Sequence, residues 1–163
     1  ISEKQIDQPA EVFNYVRKRL IQNISQDGAQ DGMDGILVCF DKDNDSVTYV
    51  AANNAPVVIA NHELHDLDPD KMPVGKGEKQ DSFTTYSIQS ANGDMLYLYT
   101  DGYADQFGGP KGKKFKYKQL NEKLLSISDK PLSEQKKILE KTFTEWQGSM
   151  EQVDDVLVVG VRL

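Results

Sequence analysis

The stretch that decides the predicted fold is Met95-Leu96-Tyr97-Leu98-Tyr99-Thr100-Asp101-Gly102-Tyr103-Ala104-Asp105, in which an apolar run ends at an aspartate and a glycine. The apolar and aromatic residues predict a strand over Met95–Thr100. The turn signal Asn92-Gly93 precedes it, so we expect this strand to form a hairpin with an earlier strand over Ser82–Ile88. The stretch therefore indicates antiparallel sheet and places acids where a buried strand ends.

The spacing of apolar residues elsewhere predicts the remaining elements. Helical spacing predicts helices over three ranges: Pro9–Ile24, about Tyr117–Ile127, and Ser133–Trp146. Strands are expected over Ile36–Phe40, Ser46–Ala52 and Pro56–Ala60, and a long central strand over Val153–Leu163. The strands are grouped rather than alternating with helices, which predicts an α+β fold, an antiparallel β-sandwich flanked by helices, with parallel βαβ winding as the alternative. We expect one domain over residues 1–163, because no linker or repeat interrupts it.

Composition narrows the classes of partner. Of 163 residues, 38% are apolar and 28% charged, and the net charge of −7 argues against a nucleic-acid partner, which would need clustered cations. The apolar runs are too short to cross a bilayer, so we expect no direct membrane contact. The single Cys39 suits a reducing cytoplasm. Because the chain begins at Ile1 rather than Met, we expect it to be a piece of a longer protein, whose remainder could carry a membrane-tethered sensor.

Two acidic pairs are the candidate chemical features. If the chain coils after Gly102, Asp101 and Asp105 share one face, and a hard cation would offset their repulsion. The alternative is a hairpin turn with a solvated Asp105. In the C-terminal strand, Asp154 and Asp155 would point to opposite faces, so at most one could be a ligand, unless both lie in solvent where the strand begins.

Several motifs support a more specific interpretation when taken together. T-D-G-Y-A-D at residues 100–105 is followed by a basic segment at 107–118, two predicted helices, and V-D-D-V-L-V-V-G-V-R-L at 153–163. Upstream, residues 49–56 are similar to Y-x-x-A-G-H-N-P-P and residues 72–75 to L-P-L-G. In this order and spacing, the motifs resemble the SpoIIE-like bacterial branch of the metal-dependent Ser/Thr protein phosphatases (PPM, type 2C), over roughly Pro9 to Leu163.

The resemblance implies a metal site and a reaction. Asp101 matches an aspartate that ligates a catalytic Mg²⁺ or Mn²⁺, Asp154 matches the second, and Asp105 matches a position linked with an additional, weaker metal. Gly102 follows Asp101 as in the family motif. The family fold is an antiparallel β-sandwich flanked by helices. Its two metals, about 3.5–4 Å apart, bind phosphate and generate the attacking hydroxide, so no nucleophilic side chain of the enzyme is implied.

One family motif is missing. The D-x-T-G-H-G string, whose aspartate bridges both metals, does not occur in this sequence. Either the chain begins after that motif, which we favour, or it is a degenerate homologue. We therefore expect weak metal binding and little or no phosphatase activity from this chain. Two alternatives are a non-catalytic pseudophosphatase that binds a partner and a different metal hydrolase that uses Asp101, Asp105 and Asp154.

Partners are predicted from charge and resemblance. The lysine-rich segment beside the acids is either a solvated flap or a surface that attracts a phosphorylated protein, with Lys113 and Lys114 as the candidate substrate-binding residues. The resemblance implies an anti-sigma-factor antagonist as the phosphoprotein. Strand edges left open by the missing N-terminal part would allow a homodimer. His62 and His65 lack a zinc-binding pattern and are expected in solvent, and Trp146 is expected in the helix core.

Overall fold

A computed structural model describes residues 6–23, 32–44 and 46–163. The elements of the first half are, in chain order, α1 (Pro9–Asn23), β1 (Gly32–Met33), β2 (Gly35–Asp41), β3 (Ser46–Ala52), β4 (Val57–Ala60), β5 (Glu63–Asp66), β6 (Val74–Gly75) and β7 (Tyr86–Ile88). Those of the second half are β8 (Met95–Tyr99), α2 (Gly102–Asp105), β9 (Phe107–Gly108), β10 (Lys113–Lys114), α3 (Tyr117–Ile127), α4 (Leu132–Gln147) and β11 (Val158–Arg162). The chain divides into two compact units, formed by the described parts of 1–56 with 67–89, and by 57–66 with 90–163.

The first unit packs α1 against antiparallel strands. Its three-stranded sheet has the order β2-β3-β7, with Leu37 opposite Val50 in the β2–β3 register. A cluster that includes Phe13, Val50 and Phe83 forms its core. Phe13 lies on the face of α1 that packs into this core. A helix with one buried face repeats apolar residues at helical spacing, and this repeat is the pattern that predicts α1 from the sequence.

A buried arginine holds α1 in place within this unit. Arg17 is 6% exposed, its Nη1 donates to the carbonyl oxygen of Asp81 at 2.6 Å, and its guanidinium lies 4.0 Å from the ring centroid of Phe83. At the start of the helix, the Ala10 N–H donates to Thr85 Oγ1 at 3.1 Å. Polar contacts therefore fix the helix at both its first and third turns.

The second unit contains an antiparallel sheet of order β11-β8-β4-β5 with α2, α3 and α4. Strand β8 lies between two neighbours and is almost wholly buried, with Leu96 at 0% and Tyr97 at 1% exposure. Apolar side chains from the sheet and helices form one core: Val57, Ile59, Met95, Tyr97, Tyr99, Tyr103, Phe115, Leu120, Leu124, Ile127 and Leu139. Within the described residues, no helix has the length and apolar character needed to cross a membrane.

The α+β prediction is confirmed, with two corrections to the strand pairing. The predicted hairpin of Ser82–Ile88 with Met95–Thr100 is wrong: β7 pairs with β3, whereas β8 pairs with β4 and β11 in a different sheet. Strand β8 has β4 on one edge and β11 on the other, so both its edges are hydrogen-bonded and no edge is left for β7.

The second correction concerns the C terminus. The predicted central strand Val153–Leu163 is shorter, covering Val158–Arg162, and in the described part of the chain it lies at the edge of its sheet. Residues 153–155 are exposed and outside any strand, because two adjacent aspartates favour hydration over pairing. Asp154 and Asp155 therefore do not point to opposite faces of a strand; both lie in solvent before the strand begins, which is the alternative that the sequence left open.

Candidate metal centre

Strand β8 delivers the first predicted acid to the surface. Asp101 follows the buried strand and precedes α2, and the Asp105 N–H donates to the Asp101 carbonyl oxygen at 2.9 Å. The chain therefore coils after Gly102, and the alternative of a hairpin turn at Asp101-Gly102 is wrong. One helical turn now separates the two carboxylates.

Gly102 makes the close backbone approach that its small size permits. A β-carbon at this position would lie 2.4 Å from the Asp155 carbonyl oxygen and 3.3 Å from that of Asp154. Only a residue without a side chain allows the two segments to meet this closely. The glycine thus brings the start of α2 directly against the backbone of the second acidic pair.

Thr100 ties the same two segments by hydrogen bonds. Its Oγ1 donates to the Asp155 carbonyl oxygen at 2.8 Å and accepts from the Leu157 N–H at 3.0 Å. Its backbone N–H donates to the Leu157 carbonyl oxygen at 3.0 Å. Thr100 is not among the predicted site residues, although a threonine directly before the acid is the signal that could have indicated it.

Asp154 lies in the exposed segment that Thr100 and Gly102 hold. Its Oδ1 accepts from the Asp155 N–H at 2.7 Å, and its carbonyl oxygen accepts from Gln152 Nε2 at 2.7 Å. The structure therefore brings the backbones that carry Asp101 and Asp154 into adjacent segments of one surface.

Gln106 fixes the backbone segment that leads to Asp154, and it does so from inside the protein. It is completely buried, its Nε2 donates to the Glu151 carbonyl oxygen at 2.9 Å, and its Oε1 accepts from the Val153 N–H at 3.4 Å. Its own carbonyl oxygen accepts from Trp146 Nε1 at 3.0 Å. A buried polar side chain is expected to satisfy such partners, and here they fix the segment leading to the second acid.

The basic segment forms a short flap beside α2. Strands β9 and β10 pair with Lys113 opposite Gly108 and Lys114 opposite Phe107. The pairing continues beyond them, since the Phe115 N–H donates to the Gln106 carbonyl oxygen at 2.9 Å. Both candidate substrate-binding lysines are therefore held by backbone hydrogen bonds.

The flap also brings Lys114 onto the third predicted ligand. Lys114 Nζ lies 2.8 Å from Asp105 Oδ2, and the two side chains are 44% and 41% exposed. Asp105 therefore faces a cation supplied by the chain itself.

Tyr103 anchors α2 to the core. Its hydroxyl donates to the Leu139 carbonyl oxygen at 2.9 Å, and burial raises its pKa well above the ordinary value. The side chain therefore stays neutral and gives the short helix a fixed attachment to α4.

The donor chemistry fits a hard divalent cation only in part. Asp101 and Asp154 carry carboxylates, the oxygen ligands that Mg²⁺ and Mn²⁺ prefer. Asp105 is paired with Lys114, and among the described residues no three His, Cys, Asp or Glu side chains are grouped so as to hold a metal. The histidines offer nothing further: His62 lies 3.5 Å from Asp129 with its side chain 79% exposed, and His65 is exposed, as expected.

Comparisons with known proteins agree with the motifs. The sequence profile described as Stage II sporulation protein E (SpoIIE) matches residues 1–163. Among curated protein sequences, none matches significantly.

Solved structures match the fold. The SiaA-PP2C domain of Pseudomonas aeruginosa is 25% identical with a TM-score of 0.86, and the match covers 96% of this chain and 61% of that one. The phosphatase domain of the cell fate determinant SpoIIE from Bacillus subtilis, presoaked with Mn, is 18% identical with a TM-score of 0.64, covering 99% and 68% of the two chains. The RsbU and RsbW domains of Rv1364c from Mycobacterium tuberculosis give 19% identity and a TM-score of 0.66 over 88% and 39%.

The chain thus spans less than two thirds of the SiaA domain chain it matches. Its α+β architecture with antiparallel sheets is that of PP2C phosphatase domains. Because the family profile extends over all 163 residues, the chain belongs to the SpoIIE family.

Proposed function

We propose that this chain is part of a metal-dependent protein Ser/Thr phosphatase of bacterial signalling. The observation that carries the proposal is the contact of Gly102 with the Asp155 carbonyl oxygen, which joins the segments bearing Asp101 and Asp154. Those two aspartates would hold Mg²⁺ or Mn²⁺. When bound, a pair of such ions supplies a hydroxide for in-line attack on phosphorus and neutralises charge on the phosphate.

The chain's own residues then have separate roles. Thr100 and Gly102 hold together the backbone segments that carry Asp101 and Asp154, and Gln106 fixes the segment before Asp154. Lys113 and Lys114, on the exposed flap, would attract a phosphorylated protein. The resemblance supports an anti-sigma-factor antagonist as that protein, and the single Cys39 supports a cytoplasmic location for the reaction.

This chain by itself should bind metal weakly and turn over little or no substrate. It has no D-x-T-G-H-G string, so the carboxylate that bridges two metals in the family is not supplied. A non-catalytic, partner-binding pseudophosphatase is the second candidate, and the pairing of Asp105 with Lys114 favours it, because a ligand position is already occupied by a side-chain cation.

Calorimetric titration with Mn²⁺ tests the metal assignment. We expect weak binding that Asp101→Asn and Asp154→Asn each reduce severalfold, whereas Asp129→Asn, an exposed acid in another loop, changes nothing. Tight two-site binding, or binding indifferent to Asp101, would contradict the proposal.

Turnover separates the candidate functions. With p-nitrophenyl phosphate and Mn²⁺, this chain should show little activity. A chain extended to include D-x-T-G-H-G should be active if the protein is a phosphatase and inactive if it is a pseudophosphatase. Full activity in the present chain would instead support a different metal hydrolase.

A homodimer is the remaining part of the proposal. The outer edge of β11 is unpaired in the described chain, and Leu157, just before the strand, and Val159, within it, are 58% and 40% exposed. An antiparallel pairing with a second copy would satisfy that edge. Light scattering that finds only monomer at high concentration would count against it.

A further inference from the structure

Lys114 and Asp105 form an ion pair, although the sequence predicts a different role for each, and neither residue can serve its predicted role while they are paired. Asp105 was expected to serve an additional metal and Lys114 to serve a phosphate, yet their charged atoms lie 2.8 Å apart. An ammonium group in contact with a carboxylate oxygen compensates the carboxylate's charge and occupies the place where a cation would bind. We infer that Lys114 takes the place of a third metal at Asp105, so that this site holds no more than the metals bound by Asp101 and Asp154.

The position of Lys114 is built into the backbone. It lies opposite Phe107 in the β9–β10 pairing, and the Lys116 N–H after it donates to the Ala104 carbonyl oxygen at 2.6 Å. These bonds align the basic strand with the end of α2. The ammonium group also lies 5.9 Å from the ring centroid of Phe107, a second contact that favours a cation here.

Asp105 is equally constrained. It ends the four-residue α2, whose Tyr103 is 2% exposed and whose Ala104 is completely buried. The Asp105 backbone is bonded to Asp101 within the same turn, at 2.9 Å. The carboxylate is therefore presented to the flap by a rigid element, and the flap supplies the matching charge.

The inference rests on the proposed function, because it assumes that Asp101 and Asp154 bind the catalytic cations. Its consequence is that removal of Lys114 frees Asp105 for a divalent cation. The Lys114 ammonium group also repels a cation bound near Asp105. Removing this group should therefore strengthen Mn²⁺ binding on the order of tenfold.

Titration with Mn²⁺, followed by the electron paramagnetic resonance signal of free ion, tests this without measuring activity. Lys114→Ala should bind Mn²⁺ about tenfold more tightly than the matched variant Lys113→Ala, whose side chain points to the other face of the same strand. Adding Asp105→Asn to Lys114→Ala should remove most of that gain, whereas Asp105→Asn alone, which leaves the ammonium group uncompensated, should bind Mn²⁺ no more tightly than wild type. Circular dichroism confirms that each variant is folded.

The opposing outcomes are distinct. If Lys114→Ala binds Mn²⁺ no better than Lys113→Ala, or if the double variant keeps the full gain of Lys114→Ala, the inference is overturned. The proposed function has its own readout in the same assay: an Asp101→Asn variant that binds as wild type contradicts it, whatever the lysine variants do.

Discussion

The hydroxyl of Thr100 lies between two backbone groups of the terminal segment, 2.8 Å from the Asp155 carbonyl oxygen that it donates to and 3.0 Å from the Leu157 N–H that it accepts from. The Thr100 side chain thus hydrogen-bonds the end of the central strand β8 to the residues just before the edge strand β11. Both bonds lie at the surface, so water can replace them in part.

Thr100→Val should lower the free energy of unfolding by about 1 kcal/mol, because it removes both hydrogen bonds while keeping a branched side chain. Urea denaturation measures the change. Thr100→Ser retains the hydroxyl and should lose less; a Thr100→Val protein as stable as wild type would show that packing, not hydrogen bonding, matters here.

Gly102→Ala should destabilise the protein by about 1–3 kcal/mol, because its methyl group would lie 2.4 Å from the Asp155 carbonyl oxygen and must displace backbone. Thermal unfolding measures the loss. Gly35→Ala is the matched control, since its nearest neighbour would be Phe13 at an ordinary 3.6 Å. Similar melting temperatures for wild type and Gly102→Ala would contradict the close approach.

Arg17→Ala should lower the free energy of unfolding by about 2 kcal/mol. The substitution removes the hydrogen bond from the guanidinium to the Asp81 carbonyl oxygen and the stacking on Phe83. The exposed Lys18→Ala, on the same helix, should have almost no effect. Hydrogen exchange should locate the loss, since the amides of α1 should exchange faster in Arg17→Ala than in Lys18→Ala. Equal protection of these amides in the two variants would contradict this explanation.

Stability should fall in alkaline solution. Burial raises the pKa of Tyr97 to about 12, so the folded protein keeps the phenol proton that the unfolded chain releases near its ordinary pKa of about 10. The contribution is complete below pH of about 10 and is lost as the pH rises to about 12.

Tyr97→Phe tests that assignment. It should reduce the decline in unfolding free energy between those pH values by up to about 1.4 kcal/mol per pH unit, the share of one proton. Tyr15→Phe, at a 38% exposed position, should leave the slope unchanged. A slope indifferent to Tyr97 would mean that other groups cause the alkaline loss.

Helices were predicted well because their signal is local. The Tyr117–Ile127 prediction matches α3, and α4 differs from its prediction by one residue at each end, at Leu132 and Gln147. Each helix shows its buried stripe in its own sequence, independent of its partner. By contrast, β5 was not predicted: Glu63–Asp66 is mostly polar, and its pairing with β4 depends on the neighbour and not on its own pattern.

Residues that build the candidate site were predicted less completely for the same reason. Asp101, Gly102 and Asp154 became candidate site residues through the resemblance to family motifs, because those motifs are continuous in the sequence. Thr100 and Gln106 act through residues distant in the chain, up to 55 positions for Thr100 and Asp155, so the residues near them in sequence do not reveal those partners. The pair of Lys114 with Asp105 forms because the β9–β10 flap folds back beside α2, which spacing alone does not show.

The loop at the tip of the flap is joined to the end of α4. A β-carbon at Gly108 would collide with the Trp146 carbonyl oxygen, and that oxygen accepts from the Gly109 N–H at 2.7 Å. The chain contains only this one tryptophan. Its fluorescence is therefore an intrinsic probe of the lysine flap. The emission maximum should shift if binding of a phosphorylated ligand moves the flap away from Trp146.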